Sequence, residues 1–196
     1  AIVIAVSCPK PIYFLARGDA FNKPLIANFL NALQLIPIYR LSEGKSNLGK
    51  NEDTFKRCVA LLKQNQTILI FSEGLCINEW KLRPLKKGTA RLALMAIQDA
   101  IPNLKIQPTN LNYSSFDENP KKVLVNFNSE FEVTANEKKT EFYSNFNLLL
   151  KKGLLDKLVI QSEKKEIQLF VEYSSTIYKV LLAIPAFIGY LLNRGI

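Results

Sequence analysis

The sequence predicts an α/β fold with a mostly parallel central sheet flanked by helices, followed by a helical, apolar C-terminal appendage. Short apolar runs alternate with segments of about ten to fifteen residues whose apolar side chains recur at helical spacing. That alternation is typical of units in which a helix connects two parallel strands. With 196 residues, 48% of them hydrophobic and 22% charged, the chain is long enough to bury a core and too apolar to be disordered.

The predicted elements follow one another along the chain. Apolar runs predict strands at residues 12–16, 35–39, 67–71, 105–113 and 123–127. Apolar residues three or four positions apart predict helices at residues 24–35, 51–64, 89–100 and 141–155. We expect Asn51 or Asp53 to cap the second of these helices. Residues 72–87 contain Pro84 and glycine and are expected to form a long loop.

Two segments of different character are expected. Residues 1–139 are predicted to form the α/β domain, and residues 140–196 a helical, apolar segment associated with a membrane. Within the second segment, residues 180–192 are thirteen uncharged, almost wholly apolar residues between Lys179 and Arg194. Because a helix needs about 20 residues to cross a bilayer core, this run is expected to lie at the interface or to insert in part. A core helix docked on the sheet domain is the alternative.

Composition excludes several classes of function. The 196 residues contain no histidine, which excludes a histidine general base, catalytic triad or histidine metal site within them. Cys8, Cys58 and Cys76 are scattered, so free thiols in a reducing compartment are expected and a zinc site is not. There is no Walker loop and no dinucleotide fingerprint. The net charge of +9 suits a solvated surface, an anionic membrane, a phosphate-bearing substrate or nucleic acid.

Three predicted strands end in a charged residue, namely Arg17, Arg40 and Glu73. In open α/β sheets, ligands bind outside the carboxyl ends of the strands, and arginine is well shaped to hold phosphate. These residues therefore predict a site for an anionic ligand that carries hydroxyl groups. Two blander alternatives stay open at this point, because Arg17 can pair with Asp19 at a turn and Arg40 can be a surface strand end.

A basic turn precedes the predicted helix at residues 89–100. It consists of Lys86, Lys87 and Gly88, and the amides at a helix N-terminus favour anions. The turn is therefore a further candidate for the anion site, and a merely solvated basic turn is the alternative.

Four motifs in this order resemble those of the glycerolipid acyltransferase family. They are Ile36-Pro37-Ile38-Tyr39-Arg40, Phe71-Ser72-Glu73-Gly74, Leu85-Lys86-Lys87-Gly88 and Ile106-Gln107-Pro108. The best-known activity of that family is acyl transfer to 1-acylglycerol-3-phosphate. The resemblance implies a fatty acyl donor, either acyl-CoA or acyl-carrier protein, as co-substrate, and it implies no further cofactor and no metal.

The resemblance also implies roles for single residues. Arg40 and part of the turn at Gly74 would bind the acceptor phosphate. Glu73 would position the glycerol backbone or order the phosphate-binding residues. Lys86 and Gly88 would line the same pocket. Pro108, in the fourth motif, would shape the acyl-donor side.

The first motif of the family is a histidine, four residues and an aspartate, and it is expected upstream of Ala1. The histidine would act as general base on the acceptor hydroxyl, which attacks the thioester, and the aspartate would orient the histidine. We therefore expect the chain to be a fragment of a longer polypeptide and to be inactive by itself.

The chain departs from the family pattern at Gln34, Ser72, Leu75 and Cys76. The family usually has glycine where Gln34 stands, proline where Ser72 stands, and threonine and arginine where Leu75 and Cys76 stand. The change at Cys76 removes one expected phosphate ligand. Arg17, Lys81 or Arg83 are candidates to replace it.

The sequence therefore predicts an O-acyltransferase of phospholipid biosynthesis or remodelling. It would transfer a fatty acyl group to the hydroxyl of a lysophospholipid-like or glycerol-phosphate-like acceptor. Expected partners are the lipid substrate, the acyl donor and an anionic membrane surface, with the protein on the cytoplasmic face, peripheral or partly inserted. The oligomeric state is left open. The main alternative is a catalytically inactive module of the same fold that binds anionic lipid, and a basic nucleic-acid-binding domain is a third, less favoured because the basic residues are spread along the chain.

Overall fold

The computed structural model describes residues 2–8, 10–39, 49–75, 77–116, 122–135 and 138–158. All of them belong to one compact unit, residues 1–164. Arg40, Cys76 and the apolar run at residues 180–192 lie outside the described residues, so the predictions made for them stay predictions. The same holds for the predicted division of the chain after residue 139.

Helices and strands alternate through the first two thirds of this unit. Within the described residues the helices, α1 to α5, are Ile2–Ser7, Pro24–Ala32, Lys50–Lys63, Gly88–Gln98 and Lys139–Leu155. The strands, β1 to β7, are Ile12–Arg17, Leu35–Ile38, Thr67–Leu69, Lys105–Ile106, Thr109–Tyr113, Val123–Phe127 and Phe131–Glu132. A short 3-10 helix, Gly18–Phe21, links β1 to α2. Among the described helices, none combines the length and the apolar content that crossing a bilayer would require.

A small parallel sheet organises the first half of the fold. Its strand order is β2-β1-β3, and Phe14 of β1 lies opposite both Leu35 and Leu69. The predicted α/β class with parallel strands and flanking helices is confirmed for this part. The remaining strands pair differently, because β4 with β7 and β5 with β6 form two antiparallel pairs.

The prediction of one continuous strand over residues 105–113 is wrong. Gln107 and Pro108 separate β4 from β5, and the two strands pair with different partners. Proline has no backbone N–H to give to a strand ladder, so a strand tends to stop at it. The carbonyl of Pro108 instead accepts a hydrogen bond from the backbone N–H of Asn128, at 2.9 Å.

Helix α4 is the central element of the core, because it is buried on two sides. On one side Leu92 packs in a cluster with Phe55, Cys58 and Val59 of α3. On the other side a second cluster joins α4 to α5 and contains Ala90, Ala93, Leu94, Phe142, Phe146 and Leu150. Burial of each large apolar side chain contributes roughly 1.5–3 kcal/mol, so these two clusters hold α4 firmly in place.

Asn51 does not cap α3, which corrects the prediction made for it. The N-cap position belongs to Gly49, which makes no side-chain cap hydrogen bond. The Asn51 amide instead bonds both backbone groups of Tyr39, accepting from its N–H and donating to its carbonyl, each at 2.8 Å. Thr54 adds a hydroxyl donor to the carbonyl of Pro37, at 2.8 Å. These contacts fasten the start of α3 to the carboxyl end of β2.

The C-terminal end of α5 is held by asparagine side chains from the β5-β6 pair. The amides of Asn110, Asn112, Asn126 and Asn128 donate to the carbonyls of Leu154, Lys157, Lys157 and Gly153, respectively. The last carbonyls of a helix have no partner within the helix, so side-chain donors are needed where the end is covered. These four amides therefore fix the position of the C-terminal end of α5 against the β5-β6 pair.

Replacing Gly153 in α5 by alanine is expected to destabilise the protein. A Cβ atom there would lie 2.6 Å from Cγ of Pro108, whose ring is fully buried. Overpacking of this kind costs about 1–3 kcal/mol, which outweighs the gain of about 1 kcal/mol that alanine usually brings to a helix. Urea denaturation measures the change. Gly49→Ala is the matched control, since nothing lies within 4 Å of its added Cβ. An equal or higher stability of Gly153→Ala would contradict the close packing.

The Cys58 thiol is expected to resist modification in the folded protein. Burial raises its pKa to about 11, although Arg57 opposes the shift in part. The thiolate is the reactive form, so labelling at pH 8 followed by peptide mapping should leave Cys58 unmodified until denaturant is added.

The folded pKa lies above the ordinary value of 9.0, so the stability that Cys58 contributes is complete below about pH 9 and falls as the pH rises towards about 11. Comparing the pH dependence of stability with that of Cys58→Ala isolates this effect. Rapid labelling of Cys58 in the native protein would contradict the expected protection.

Candidate functional site

The carboxyl edge of the parallel sheet carries the candidate site, and its central feature is the turn at residues 71–74. This turn follows β3, and the N–H of Gly74 donates to the carbonyl of Phe71 at 3.0 Å. Gly74 has a φ of +68°, a conformation that glycine adopts without the steric penalty of a side chain. The glycine therefore allows the chain to turn sharply with Glu73 at the tip.

Two hydrogen bonds tie this turn to the start of α4. The backbone N–H of Lys86 donates to the carbonyl of Ser72 at 2.8 Å. The hydroxyl oxygens of Ser72 and Thr89 lie 2.8 Å apart in a second hydrogen bond. A Cβ added to Gly74 would lie 3.2 Å from Cγ of Lys86, so the lysine stem runs directly beside the turn. The motif at residues 71–74 and the motif at residues 85–88 are thus in direct contact. The binding roles of Glu73, Gly74 and Lys86 stay predictions.

The carboxylate of Glu73 is oriented from the loop that follows. Its Oε2 accepts a hydrogen bond from the backbone N–H of Arg83 at 3.1 Å. The guanidinium of Arg83 bonds Glu79 at 3.1 Å, four residues earlier. The motif pattern indicates Arg83 only as a candidate replacement for the missing phosphate ligand. The i,i+4 spacing of Glu79 and Arg83 was the available signal that this part of the loop is ordered.

The first turn of α4 faces the same region with an electropositive end. Lys86 and Lys87 are exposed, and α4 begins at Gly88 with no acidic residue in its first turn. Lys87 occupies the N-cap position and makes no side-chain cap hydrogen bond. Helix-terminal amides and two ammonium groups together favour an anion at this edge.

The ends of β1 and β2 reach the same edge. Arg17, the last residue of β1, pairs in register with Ile38 of β2. Its guanidinium forms an ion pair with Asp19, with Nε 3.2 Å from Oδ1. The alternative predicted for Arg17 is therefore observed, and its substrate-binding role stays a prediction. Tyr39, which immediately precedes Arg40, packs so closely on Gly18 that a side chain there would clash with the tyrosine ring.

A cavity of about 1030 Å³ extends from this edge between the sheet and the β5 segment. Both Glu73 and Pro108 line it, so one residue predicted for the acceptor and the one predicted for the acyl-donor side share this space. The other predicted acceptor residues that the structure describes are not among the lining residues; they are Arg17, Gly74, Lys86 and Gly88. Much of the wall is apolar and includes Leu75, Ile77, Trp80, Leu82, Leu111 and Phe116. The Trp80 and Phe116 rings lie 4.2 Å apart between centroids and join the loop to the segment after β5. The cavity is of the size that binds small organic ligands.

Pro108 reaches this cavity from a tightly packed position. Its side chain is fully buried, and its ring lies against the backbone of α5 at Gly153. It therefore supports α5 as well as the cavity wall, and its role toward the acyl donor stays a prediction. Across the part of the chain that the structure describes, no group of three or more Cys, Asp or Glu side chains converges as metal ligands would.

The profile of the family described as Acyltransferase matches residues 1–112 of this chain, which include β1 to β4, α1 to α4 and nearly all of β5. The chain belongs to the Acyltransferase family. This confirms the resemblance to the glycerolipid acyltransferases inferred from the four motifs, although the relatives are distant in sequence.

Three curated proteins illustrate the relationship. A 1-acyl-sn-glycerol-3-phosphate acyltransferase of Bacillus subtilis is 28% identical over 94 residues, which cover 48% of this chain and 43% of that protein. The chloroplastic enzymes of the same name from Brassica napus and Arabidopsis thaliana are each 26% identical over 113 residues, or 55% of this chain. The chain covers only 31% and 30% of those two proteins. No solved structure gives a significant match.

In this acyltransferase chain, the hydrogen bond between Ser72 and Thr89 is expected to stabilise the site turn. Single substitutions Ser72→Ala and Thr89→Val, together with the double variant, form a double-mutant cycle whose stabilities are measured in urea. The expected coupling is about 0.5–1.5 kcal/mol, because a part-buried hydrogen bond has that net value. Thr89→Ser keeps the hydroxyl and serves as the control. Additive effects of the two single substitutions would contradict the contact.

Proposed function

We propose that this chain is the acceptor-binding part of an O-acyltransferase of phospholipid biosynthesis or remodelling. The reaction transfers a fatty acyl group from acyl-CoA or acyl-carrier protein to a hydroxyl of a lysophospholipid-like or glycerol-phosphate-like acceptor. The observation that carries this proposal is the contact between the turn at residues 71–74 and the start of α4. It holds the turn that bears Glu73, which lines the cavity, against Lys86 and the first residues of α4.

The acceptor has a phosphate, one free hydroxyl and an acyl chain, and the site offers matching groups. Lys86 and the amides of the first turn of α4 hold the phosphate, and Arg40 is assigned the same role by its motif. Glu73 accepts a hydrogen bond from a glycerol hydroxyl while the N–H of Arg83 keeps its carboxylate oriented. The apolar wall with Leu75, Trp80 and Phe116 takes the hydrocarbon, as burial of methylene groups favours.

Acyl transfer to the acceptor hydroxyl requires a general base. These 196 residues contain no histidine that could be that base. In the proposed reaction a histidine from an upstream motif removes the hydroxyl proton as the oxygen attacks the thioester carbonyl. The carbon–sulfur bond then breaks, the new ester forms, and the thiol leaves with a proton returned by the histidine. The chain by itself therefore binds the acceptor without transferring the acyl group.

For a lipid acceptor held in an anionic bilayer, the proposed location of the protein is the cytoplasmic face of a membrane, peripheral or partly inserted.

Acceptor binding by the 196-residue chain tests the site directly. Calorimetric titration uses a short-chain 1-acylglycerol-3-phosphate below its micelle concentration. Lys86→Met is expected to weaken binding by roughly tenfold to a hundredfold, since a hydrogen bond to a charged group has a net value of about 1.5–3 kcal/mol. Lys87→Met is the matched control, because it removes the same charge one residue away from the stem that packs beside Gly74. Equal losses in both variants would reject a specific phosphate site at Lys86.

A catalytically inactive module of the same fold that binds anionic lipid is the second candidate. This function needs no general base, and these 196 residues contain no histidine. Radiolabelled acyl transfer by the product of the whole gene separates the two functions. The enzyme hypothesis expects transfer that is lost in Arg40→Ala and in Glu73→Ala. Binding without any transfer supports the inactive module, and unchanged transfer in both variants rejects the site assignment.

A further inference from the structure

Helix α2 presents an apolar face to the outside of the α/β unit. Of its nine residues, all of which the structure describes, none is buried. Leu25 is 85% exposed and Phe29 is 63% exposed, and Ile26 and Leu33 are exposed as well. Leu25, Phe29 and Leu33 recur every four residues, and Ile26 is next to Leu25. The four side chains therefore form one stripe along the helix and its C-cap residue Leu33, which we call the α2 stripe.

The α2 stripe differs from the apolar faces of the neighbouring helices. α3 buries Phe55, Cys58 and Val59 in the core, and α4 buries residues on two sides. The inner side of α2 packs on β2 through partly buried residues such as Ala27 and Leu30, while its larger apolar side chains point away. A contiguous exposed apolar stripe on a folded domain marks a surface that meets a partner or a membrane.

The charges around the α2 stripe indicate which of these it meets. α2 contains no charged residue, and its N-cap residue is the exposed Lys23. Arg57 of α3 donates to Asn31 at 3.3 Å, on the side of α2 that faces away from the stripe. Asp19, in the preceding 3-10 helix, is ion-paired with Arg17. An apolar stripe with no acidic residue on its helix and a lysine at the helix start, on a protein of net charge +9, complements the acyl and headgroup layers of an anionic bilayer.

The position of α2 connects this surface with the candidate site. α2 begins three residues after the 3-10 helix that follows Arg17, at the carboxyl edge of the sheet. The turn that bears Glu73 follows β3 at the same edge. We propose that the α2 stripe is a membrane-contact surface that inserts into the interface of an anionic bilayer and holds the acceptor site at the lipid surface. This proposal rests on the proposed function for the choice of a lipid surface.

Sedimentation with large unilamellar vesicles tests the proposal on the 196-residue chain. The vesicles contain phosphatidylcholine with a minority of phosphatidylglycerol, and vesicles of phosphatidylcholine alone measure the contribution of charge. The double variant Leu25→Gln/Phe29→Gln is expected to lower the partition coefficient about tenfold or more, because it removes two inserting apolar side chains. The matched control is Leu148→Gln/Leu149→Gln, which changes two exposed leucines on α5.

A second measurement keeps the test valid if the double variant fails to fold. Phe29→Trp and Leu148→Trp are each made in a Trp80→Phe background, and brominated lipid is added to the vesicles. Quenching at position 29 and little quenching at position 148 support the proposal. The reverse pattern overturns it, as does unchanged partitioning of the α2 variant.

Three further outcomes distinguish a membrane from a second copy of the chain at the α2 stripe, and the membrane-contact proposal from the proposed function. A dimer that the α2 variant converts to a monomer, measured by light scattering, would assign the stripe to a second copy of the chain and overturn membrane contact. Vesicle binding through α2 without binding of the dispersed short-chain acceptor would reject the proposed function and leave the membrane surface intact. Acceptor binding with no α2-dependent vesicle binding would reject only the membrane surface.

Discussion

The attachment of the turn at residues 71–74 to the start of α4 is the contact on which the site depends. Each of its two hydrogen bonds has a net value of only about 0.5–1.5 kcal/mol, so its importance is geometric rather than energetic. Apolar clusters hold α4 on both sides. The hydrogen bond between Ser72 and Thr89 fixes the turn to this firmly packed helix. A carboxylate at the end of a short edge strand would otherwise have no fixed direction. The core therefore determines where Glu73 and Lys86 stand relative to each other.

A second constraint shapes the far wall of the cavity. Pro108 ends β4, packs on α5 at Gly153 and lines the cavity that Glu73 also lines. The end of α5 is covered by the β5-β6 pair, and this is tolerable because asparagine amides bind its last carbonyls. The family match ends at residue 112, within β5, whereas α5 belongs to the same compact unit. The wall opposite the site thus relies on a helix beyond the matched segment.

The segment that matches the Acyltransferase family contains both sides of the contact between the turn at residues 71–74 and α4. The family match rests on residue patterns, and the geometry rests on hydrogen bonds and packing. The departures at Ser72 and Cys76 lie within and just after the motif Phe71-Ser72-Glu73-Gly74, and the structure accounts for the first of them. A proline in place of Ser72 would have no hydroxyl for Thr89, so this chain uses a side-chain hydrogen bond to hold the turn.

Much of the fold was predictable from the sequence because periodicity reports local structure. The parallel strands β1 to β3, the helices between them and α5 all lie close to their predicted positions, since apolar spacing shows which side of an element is buried. The motifs likewise identified Glu73, Gly74 and Lys86 before their contact was known. Asn51 was assigned to the wrong partner, because a polar residue near a helix start suits a cap and a long-range contact equally well. The strand at residues 105–113 was drawn too long, because its two halves pair with different strands.

By itself, the sequence determined the α/β class, the family and the residue types at the carboxyl edge of the sheet, all of which depend on local patterns. Only the tertiary structure decided that Ser72 bonds Thr89, that Glu73 and Pro108 share a cavity, and that α2 turns its apolar stripe outward. The helical period of α2 is the same whether the stripe faces the core or the surroundings. Which side is buried depends on the neighbouring elements that the fold brings to it, and those lie far away in the chain.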